Sequence, residues 1–200
     1  MKFIKQLFKY NKVNNESISS KQISKPSKDI FSTVKENISS IKQIFSNTED
    51  LVVKEIKTET VRGVLIYLET MVDKEKIQKY VLNYFSQATS ETIQKVLSTN
   101  FNASTVFNEI EDALLEGSCV LCLHGFEKLF IIDVSISKDR SVSEPENEKI
   151  VQGSHDGFIE YLFTNLHLVR KTMQSPNVCM RYFSVGRQVK SKIALVYINN

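Results

Sequence analysis

The sequence predicts an α/β protein built as two small subdomains, each a mixed sheet packed with helices, behind a flexible basic arm. Three observations carry that expectation. Beyond residue 28, short β-rich runs alternate with stretches whose apolar residues recur at helical spacing. A strand–link–strand pattern occurs twice, at residues 51–56 with 64–68 and at 178–183 with 194–198. The second strand of each pair carries Leu and Tyr two apart, as Leu65 and Tyr67 and as Leu195 and Tyr197. Composition is that of an ordinary globular chain, 42% hydrophobic and 24% charged. The expected division is 1–28 for the arm, 29–117 for the first subdomain and 118–200 for the second.

The elements follow in order. Residues 30–46 place Ile30, Phe31, Val34, Ile38, Ile41 and Phe45 on one helical face, and Asn47-Thr48-Glu49-Asp50 closes them as a turn. Residues 51–56 and 63–68 read as strands, after which Asp73 caps a helix over 74–85. Helices are expected at 90–97 and 103–115, the latter closed by Gly117. Residues 118–123 and 128–134 form a hairpin around His124-Gly125-Phe126-Glu127. A polar stretch leads to a bend at Glu144-Pro145, because proline fixes its own φ and discourages helix before it. Gly153 and Ser154 then offer a turn and an N-cap, with Asp156 in the first helical turn. The helix that follows would bury Phe158, Tyr161, Leu162, Leu166, Leu168 and Val169. Asn165 lies on that face, where its amide needs partners, and pinning a neighbouring turn would supply them. Pro176 and Asn177 turn the chain into strands over 178–185 and 192–198.

Charge is unevenly spread. Residues 1–28 hold seven lysines against Glu16, a charge of +6, which leaves −3 for the rest of a chain whose total is +3. A basic arm on a mildly acidic body is not a nucleic-acid-binding domain; its lysines suit lipid phosphates. Two readings fit the arm: a solvated tail, or a short helix formed at a membrane surface by Phe3, Ile4, Leu7 and Phe8. The sequence has no run of about 18 apolar residues, and its first residues lack the continuous apolar core of a secretory leader. Three cysteines, an odd number, point to a reducing compartment.

Several chemistries are discounted. Ser154-His155-Asp156 has the letters of a catalytic triad, but consecutive residues project apart and cannot relay a proton. Cys119 and Cys122 have C-x-x-C spacing in an expected strand, where positions three apart face opposite sides, so buried thiols fit better than a metal site. The glycines lack the pattern of a nucleotide-binding loop. No cofactor, metal or catalytic residue is therefore assigned. Arg187, Lys190 and Lys192, with Arg170 and Lys171, form a late basic group that fits an acidic partner or lipid headgroups, or equally a guarded strand edge.

The stretch from Arg140 to Arg170 carries a family resemblance. It reads Arg140, then Glu144-Pro145, Glu148, Val151, Gly153, Gly157-Phe158, Glu160, Asn165 and Leu168-Val169-Arg170, followed downstream by Gly186, Arg187, Lys190 and Lys192. This resembles the signature of the GerA family, the A subunits of spore nutrient-germinant receptors, over roughly residue 45 to the end. Gln152, Ser154-His155 and Thr172 depart from it where basic residues or proline are common. The resemblance implies the N-terminal cytosolic domain of such a subunit, on the core side of the spore inner membrane. The membrane domain would follow this part of the chain. It implies work with B and C subunits and further A copies in germinant sensing, signal transmission or receptor assembly, with no catalysis. A second expectation is a small-molecule module holding a nutrient in an interlobe cleft. A third is a hydrolase using Glu144, Glu146 and Glu148, against which an acidic solvated turn is the simpler reading.

Overall fold

The computed structural model describes residues 28–58, 62–83, 85, 101–136 and 157–199. It is an α/β structure of two lobes. The first holds α1 (Val34–Ile44), β1 (Leu51–Lys57), β2 (Arg62–Leu68), α2 (Lys74–Ile77) continued by a π-helical turn (Gln78–Leu82), β3 (Asn102–Ser104), α3 (Phe107–Leu115), β4 (Ser118–Leu123) and β5 (Leu129–Asp133). The second holds α4 (Leu162–Met173), β6 (Val178–Val185) and β7 (Ser191–Ile198).

The first sheet runs β1-β2-β4-β5-β3 and the second pairs β6 with β7. Every pairing among these strands is antiparallel, where mixed sheets were expected. Short links produce the β1–β2, β4–β5 and β6–β7 pairs, since parallel neighbours need a long crossover, whereas β2–β4 and β3–β5 pair across longer stretches of chain. The sheet also crosses the boundary expected at 117/118. β4 pairs with β2 through Gly63↔Leu123 to Ile66↔Val120, so residues 118–133 belong to the first lobe.

Local chemistry sets the helix ends. Thr33 accepts the Glu36 amide proton and its hydroxyl donates to the Glu36 carboxylate, a side-chain N-cap at the start of α1. Asp73 caps α2 as expected, accepting from the amides of Glu75 and Lys76. Gly117 ends α3 at φ +92, a conformation costly to any side chain, and a Cβ there would lie 2.7 Å from the Met71 carbonyl oxygen. The helix expected over 103–115 begins only at Phe107, because residues 102–104 pair with β5 instead. The helix expected at 90–97 and the bend at Glu144-Pro145 lie outside the described residues.

The first sheet is covered on both faces. α1 and α3 pack Ile41, Phe45, Phe107, Ile110 and Leu114 against Val64, Ile66, Leu68, Val120 and Cys122. The opposite face packs Leu65, Cys119, Leu121 and Phe130 against Ile77, Val81 and Phe85. β4 is buried at every position, which explains its unbroken run of apolar and small residues. Cys119 and Cys122 fall on opposite faces, as alternation requires.

Burial pushes the Cys119 thiol up to about 12 and the Cys122 thiol to about 11, from an ordinary 9.0. The fold therefore holds both as neutral thiols, while the unfolded chain releases their protons from about pH 9. Stability should be unaffected by these groups below pH 9. It should fall as pH rises above 9, toward 11 for Cys122 and toward 12 for Cys119, by up to about 1.4 kcal/mol per pH unit for each thiol. Urea unfolding at pH 8, 9 and 10 checks this, and Cys119→Ala should flatten the slope.

The second lobe has a smaller core. Leu166 of α4 packs with Val178 and Met180, flanked by Leu162, Tyr182, Ala194 and Val196. α4 begins at Leu162, later than expected, and Phe158 and Tyr161 are exposed rather than on its buried face.

Asn165 is the fourth residue of α4. Its Oδ1 accepts the Ile159 amide proton at 2.8 Å and its Nδ2 donates to the Ile159 carbonyl at 2.7 Å. It thus pins the turn leading into its own helix. Asn37, fourth in α1, does the same to Phe31, at 2.8 Å in both directions. Asn37 is fully buried and Asn165 only partly so. Asn37→Ala should cost about 1–3 kcal/mol, because two backbone groups lose a partner that water cannot readily replace. Asn165→Ala should cost less, about 0.5–1.5 kcal/mol. Chemical denaturation of the two variants measures the difference.

Candidate functional site

The lobes meet at the turn between α1 and β1. Ser46 and Asn47 take left-handed conformations, φ 51 and 52, which fold the chain back over the end of α1. The Asn47 amide reaches the Lys42 carbonyl at 2.7 Å, and the Thr48 amide reaches the Phe45 carbonyl at 3.0 Å. This turn delivers Thr48 and Asp50 into the interior, both buried.

Asp50 meets Arg170 there. Arg170 stands four residues after Leu166, on the buried face of α4, and both charged side chains are 0% exposed. Arg170 Nη2 donates to Asp50 Oδ1 at 2.7 Å and to Oδ2 at 3.0 Å, and Nε donates to Oδ2 at 3.3 Å. Thr48 Oγ1 donates to Oδ1 at 2.5 Å and Thr70 Oγ1 to Oδ2 at 2.8 Å. Arg170 Nη1 reaches the Ser175 carbonyl at 3.2 Å, just past the end of its own helix. Burying two charges is tolerable only when they are paired and their remaining hydrogen-bonding capacity is filled, and here both conditions hold.

Backbone contacts extend the clasp along the outer edge of β6. The Met180 amide donates to Thr48 Oγ1 at 2.9 Å, and the Glu49 amide donates to the Met180 carbonyl at 3.0 Å. The Tyr182 amide donates to the Glu49 carboxylate at 2.7 Å, and Arg181 Nη1 donates to the Asn47 carbonyl at 2.6 Å. From α4, His167 Nδ1 lies 2.8 Å from the Thr70 carbonyl oxygen, which can only accept, so Nδ1 carries the proton. The Tyr182 hydroxyl oxygen is buried without a hydrogen-bond partner among the described residues. Burial, followed by the Asp50 and Glu69 charges, raises its pKa and keeps it neutral.

Asp50 and Arg170 spend their hydrogen bonds on protein partners, Thr48, Thr70 and the Ser175 carbonyl among them. The residues read from the sequence fall in several places. Arg170 is buried in the ion pair with Asp50, so it does not belong to a basic surface group. Asn165 pins its own lead-in turn, the kind of partner expected for its amide, and the charged link between the lobes is made by Arg170. Gly157, Phe158 and Glu160 are exposed ahead of α4, and Gly186, Arg187 and Lys190 are exposed in the β6–β7 turn. Arg140, Glu144, Pro145, Glu148 and Gly153 lie outside the described residues.

Asp50, Thr48, Thr70 and Tyr182 were missed by sequence reasoning. Asp50 sits in an Asn-Thr-Glu-Asp run that reads as a solvated turn. The available signal was Arg170 itself: an arginine in phase with Leu166 on an apolar helix face requires a buried acid elsewhere.

The structure is thus an α/β body of two lobes joined by a buried ion pair. Comparison with known proteins places it. The family model of GerA, described as Bacillus/Clostridium GerA spore germination protein, matches residues 39–200, and the chain belongs to that family. Among relatives, it is 28% identical over 179 residues to the uncharacterized membrane protein YfkQ of Bacillus subtilis, covering 85% of this chain and 35% of that one. It is 24% identical to spore germination protein XA of Bacillus anthracis, covering 84% of this chain and 37% of that one. It is 25% identical to spore germination protein B1 of Bacillus subtilis, covering 86% and 38%. The chain thus spans about a third of these relatives' length. Its fold matches the crystal structure of the N-terminal domain of the A subunit of the Bacillus megaterium spore germinant receptor GerK3. That match has a TM-score of 0.65 at 22% identity, covering 87% of this chain and 68% of that one. Among the described residues, no helix is long and apolar enough to cross a membrane.

Proposed function

We propose that this chain is N-terminal domain of a germinant-receptor A subunit and that it transmits the germination signal between its two lobes. The observation that carries this reading is the fully buried Asp50–Arg170 pair inside a GerA-family fold. A signal passes through such a domain only if two lobe arrangements differ in free energy. A buried pair is a strong bias of this kind, since separating the charges leaves each unpaired in the interior. In this reading the receptor sits in the spore inner membrane with this domain on the core side, and B and C subunits and other A copies bear on it. The +6 charge of residues 1–28 suits the anionic inner leaflet.

The test is made in spores whose receptor carries Asp50→Asn or Arg170→Gln, scored for receptor level and for nutrient-triggered germination rate. The expected result is germination at least about tenfold slower than any fall in receptor level accounts for, the scale of a coupling change of about 1.4 kcal/mol. Germination at the unaltered rate would contradict signal transmission through the clasp.

A further inference from the structure

Charge divides the chain into three parts. Residues 161–200 hold Arg170, Lys171, Arg181, Arg187, Lys190 and Lys192 and no Asp or Glu, a charge of +6. Residues 1–28 hold another +6, so residues 29–160 carry −9 in a chain whose total is +3. Two cations of the last part are used at the lobe junction, Arg170 on Asp50 and Arg181 on the Asn47 carbonyl. Arg187, Lys190 and Lys192 are instead exposed together around the β6–β7 turn, and they form no ion pair among the described residues.

The turn itself is tightly built. Val185 and Ser191 are the last pair of the hairpin, which leaves residues 186–190 to reverse the chain. Gly186 opens the turn at φ +111, and a Cβ there would meet the Val189 carbonyl oxygen, so a side chain does not fit. This closure leaves Val189 77% exposed between Arg187 and Lys190, with Val185 exposed beside it. The β4–β5 turn is built the other way. It carries Glu127, and it folds Phe126 back onto Phe130 with ring centroids 5.6 Å apart. Only residues 174–177 join α4 to β6, so the two run antiparallel, and the Phe163 ring lies 6.3 Å from that of Tyr182. The start of α4 therefore points toward the β6–β7 turn, and its N-cap Tyr161 is 74% exposed there.

We propose that the β6–β7 turn docks on the surface of a bilayer that contains anionic lipids. Arg187, Lys190 and Lys192 meet headgroup phosphates, and Val189 enters the apolar layer just beneath them. The proposal rests on the reading that this domain works beside a membrane. Two features favour lipid over an acidic protein. A bilayer presents anionic charge directly above hydrocarbon, which an apolar residue set among cations matches, whereas an acidic protein surface offers Val189 no apolar layer. The chain also carries two separate cationic segments, residues 1–28 and the turn, and an extended anionic surface can hold both at once.

The test is vesicle binding read at the turn. Cys119, Cys122 and Cys179 are buried, so an environment-sensitive dye on Val189→Cys reports alone. It is followed with vesicles of phosphatidylcholine and phosphatidylglycerol, and with vesicles of phosphatidylcholine alone. The dye should shift to the blue and become shielded from iodide with the anionic vesicles only. Binding is then compared for two triple variants. Arg187→Gln with Lys190→Gln and Lys192→Gln should weaken it by about fivefold per charge, on the order of 100-fold in all. Lys35→Gln with Lys42→Gln and Lys54→Gln, exposed on the first lobe, should weaken it several-fold at most, because charges more than a Debye length from the surface are screened. A chain that ignores anionic vesicles, or a dye that stays open to iodide while the chain is bound, would overturn the proposal. Equal losses in the two triple variants would overturn it by showing general attraction. Shielding that needs no vesicles and grows with protein concentration would overturn it by assigning the turn to a second copy. These results leave the germination rate of Asp50→Asn untouched, so the docking proposal and the signalling reading fail separately.

Discussion

Asp50→Asn will cost about 3–5 kcal/mol of folding stability, and Arg170→Met a similar amount, because each leaves the other charge buried without its counter-ion. Asp50 holds four hydrogen-bond contacts shorter than 3.1 Å from Arg170, Thr48 and Thr70, so no substitution at this position preserves them all. The double variant Asp50→Leu with Arg170→Met should recover a large part of the loss, since a well-packed apolar pair often replaces a buried ion pair at little cost. Equilibrium urea unfolding of the singles and the double closes the cycle, and the coupling free energy should exceed about 2 kcal/mol. A pair that is additive within about 0.5 kcal/mol would mean the two charges are held independently. If the clasp is what fixes the lobes, the double variant should be stable yet defective in germination. Stability alone would not distinguish a latch from a spacer, and the double variant does.

Phe45→Ala is the second large effect, expected at about 3–5 kcal/mol. Phe45 is fully buried at the C-cap of α1, within the core that α1 and α3 make against β2 and β4. It also precedes the left-handed pair Ser46 and Asn47, which aims Thr48 and Asp50 at the second lobe. The cavity should therefore loosen the clasp turn as well as the core. Thermal unfolding followed by far-ultraviolet circular dichroism gives the loss. Phe45→Leu, which keeps much of the volume, should cost less than half as much. Equal losses for Leu and Ala would show that the site is not packed as described.

Much of this architecture was legible before any coordinates. Strands β1, β2, β4, β6 and β7 lie within a residue or so of where alternating and β-rich runs place them, because each is bounded by a turn with its own chemistry. The likeness of the two strand pairs was legible too, through Leu65 with Tyr67 and Leu195 with Tyr197. The placement of β4 and β5 was not. Nothing within the run Ser118–Leu123 says that its neighbour is β2, fifty residues earlier, rather than a strand that follows. The face of α4 was misjudged for a related reason. Phe158 and Tyr161 have the spacing of a buried stripe, but Asn165 folds the chain back onto Ile159 and the helix starts only at Leu162. Apolar spacing cannot tell a helical turn from a lead-in pinned by a side chain.

The site divides in the same way. Arg170 was singled out by its place in the family signature, and its burial follows from its phase with Leu166. Asp50 was invisible because its partner is 120 positions away and its local sequence is that of a surface turn. Long-range pairing of charges is decided by topology, which a single sequence states only indirectly.

The central claim is that the Asp50–Arg170 pair locks the second lobe onto the first. Residue-resolved amide hydrogen exchange in Asp50→Asn tests it most directly, read at Met180 and Tyr182, whose amides donate to Thr48 and Glu49 across the junction. The account predicts that these two amides exchange at least about tenfold faster than in the unaltered chain, while the β2–β4 amides keep their relative protection. Unchanged exchange at Met180 and Tyr182 would contradict it.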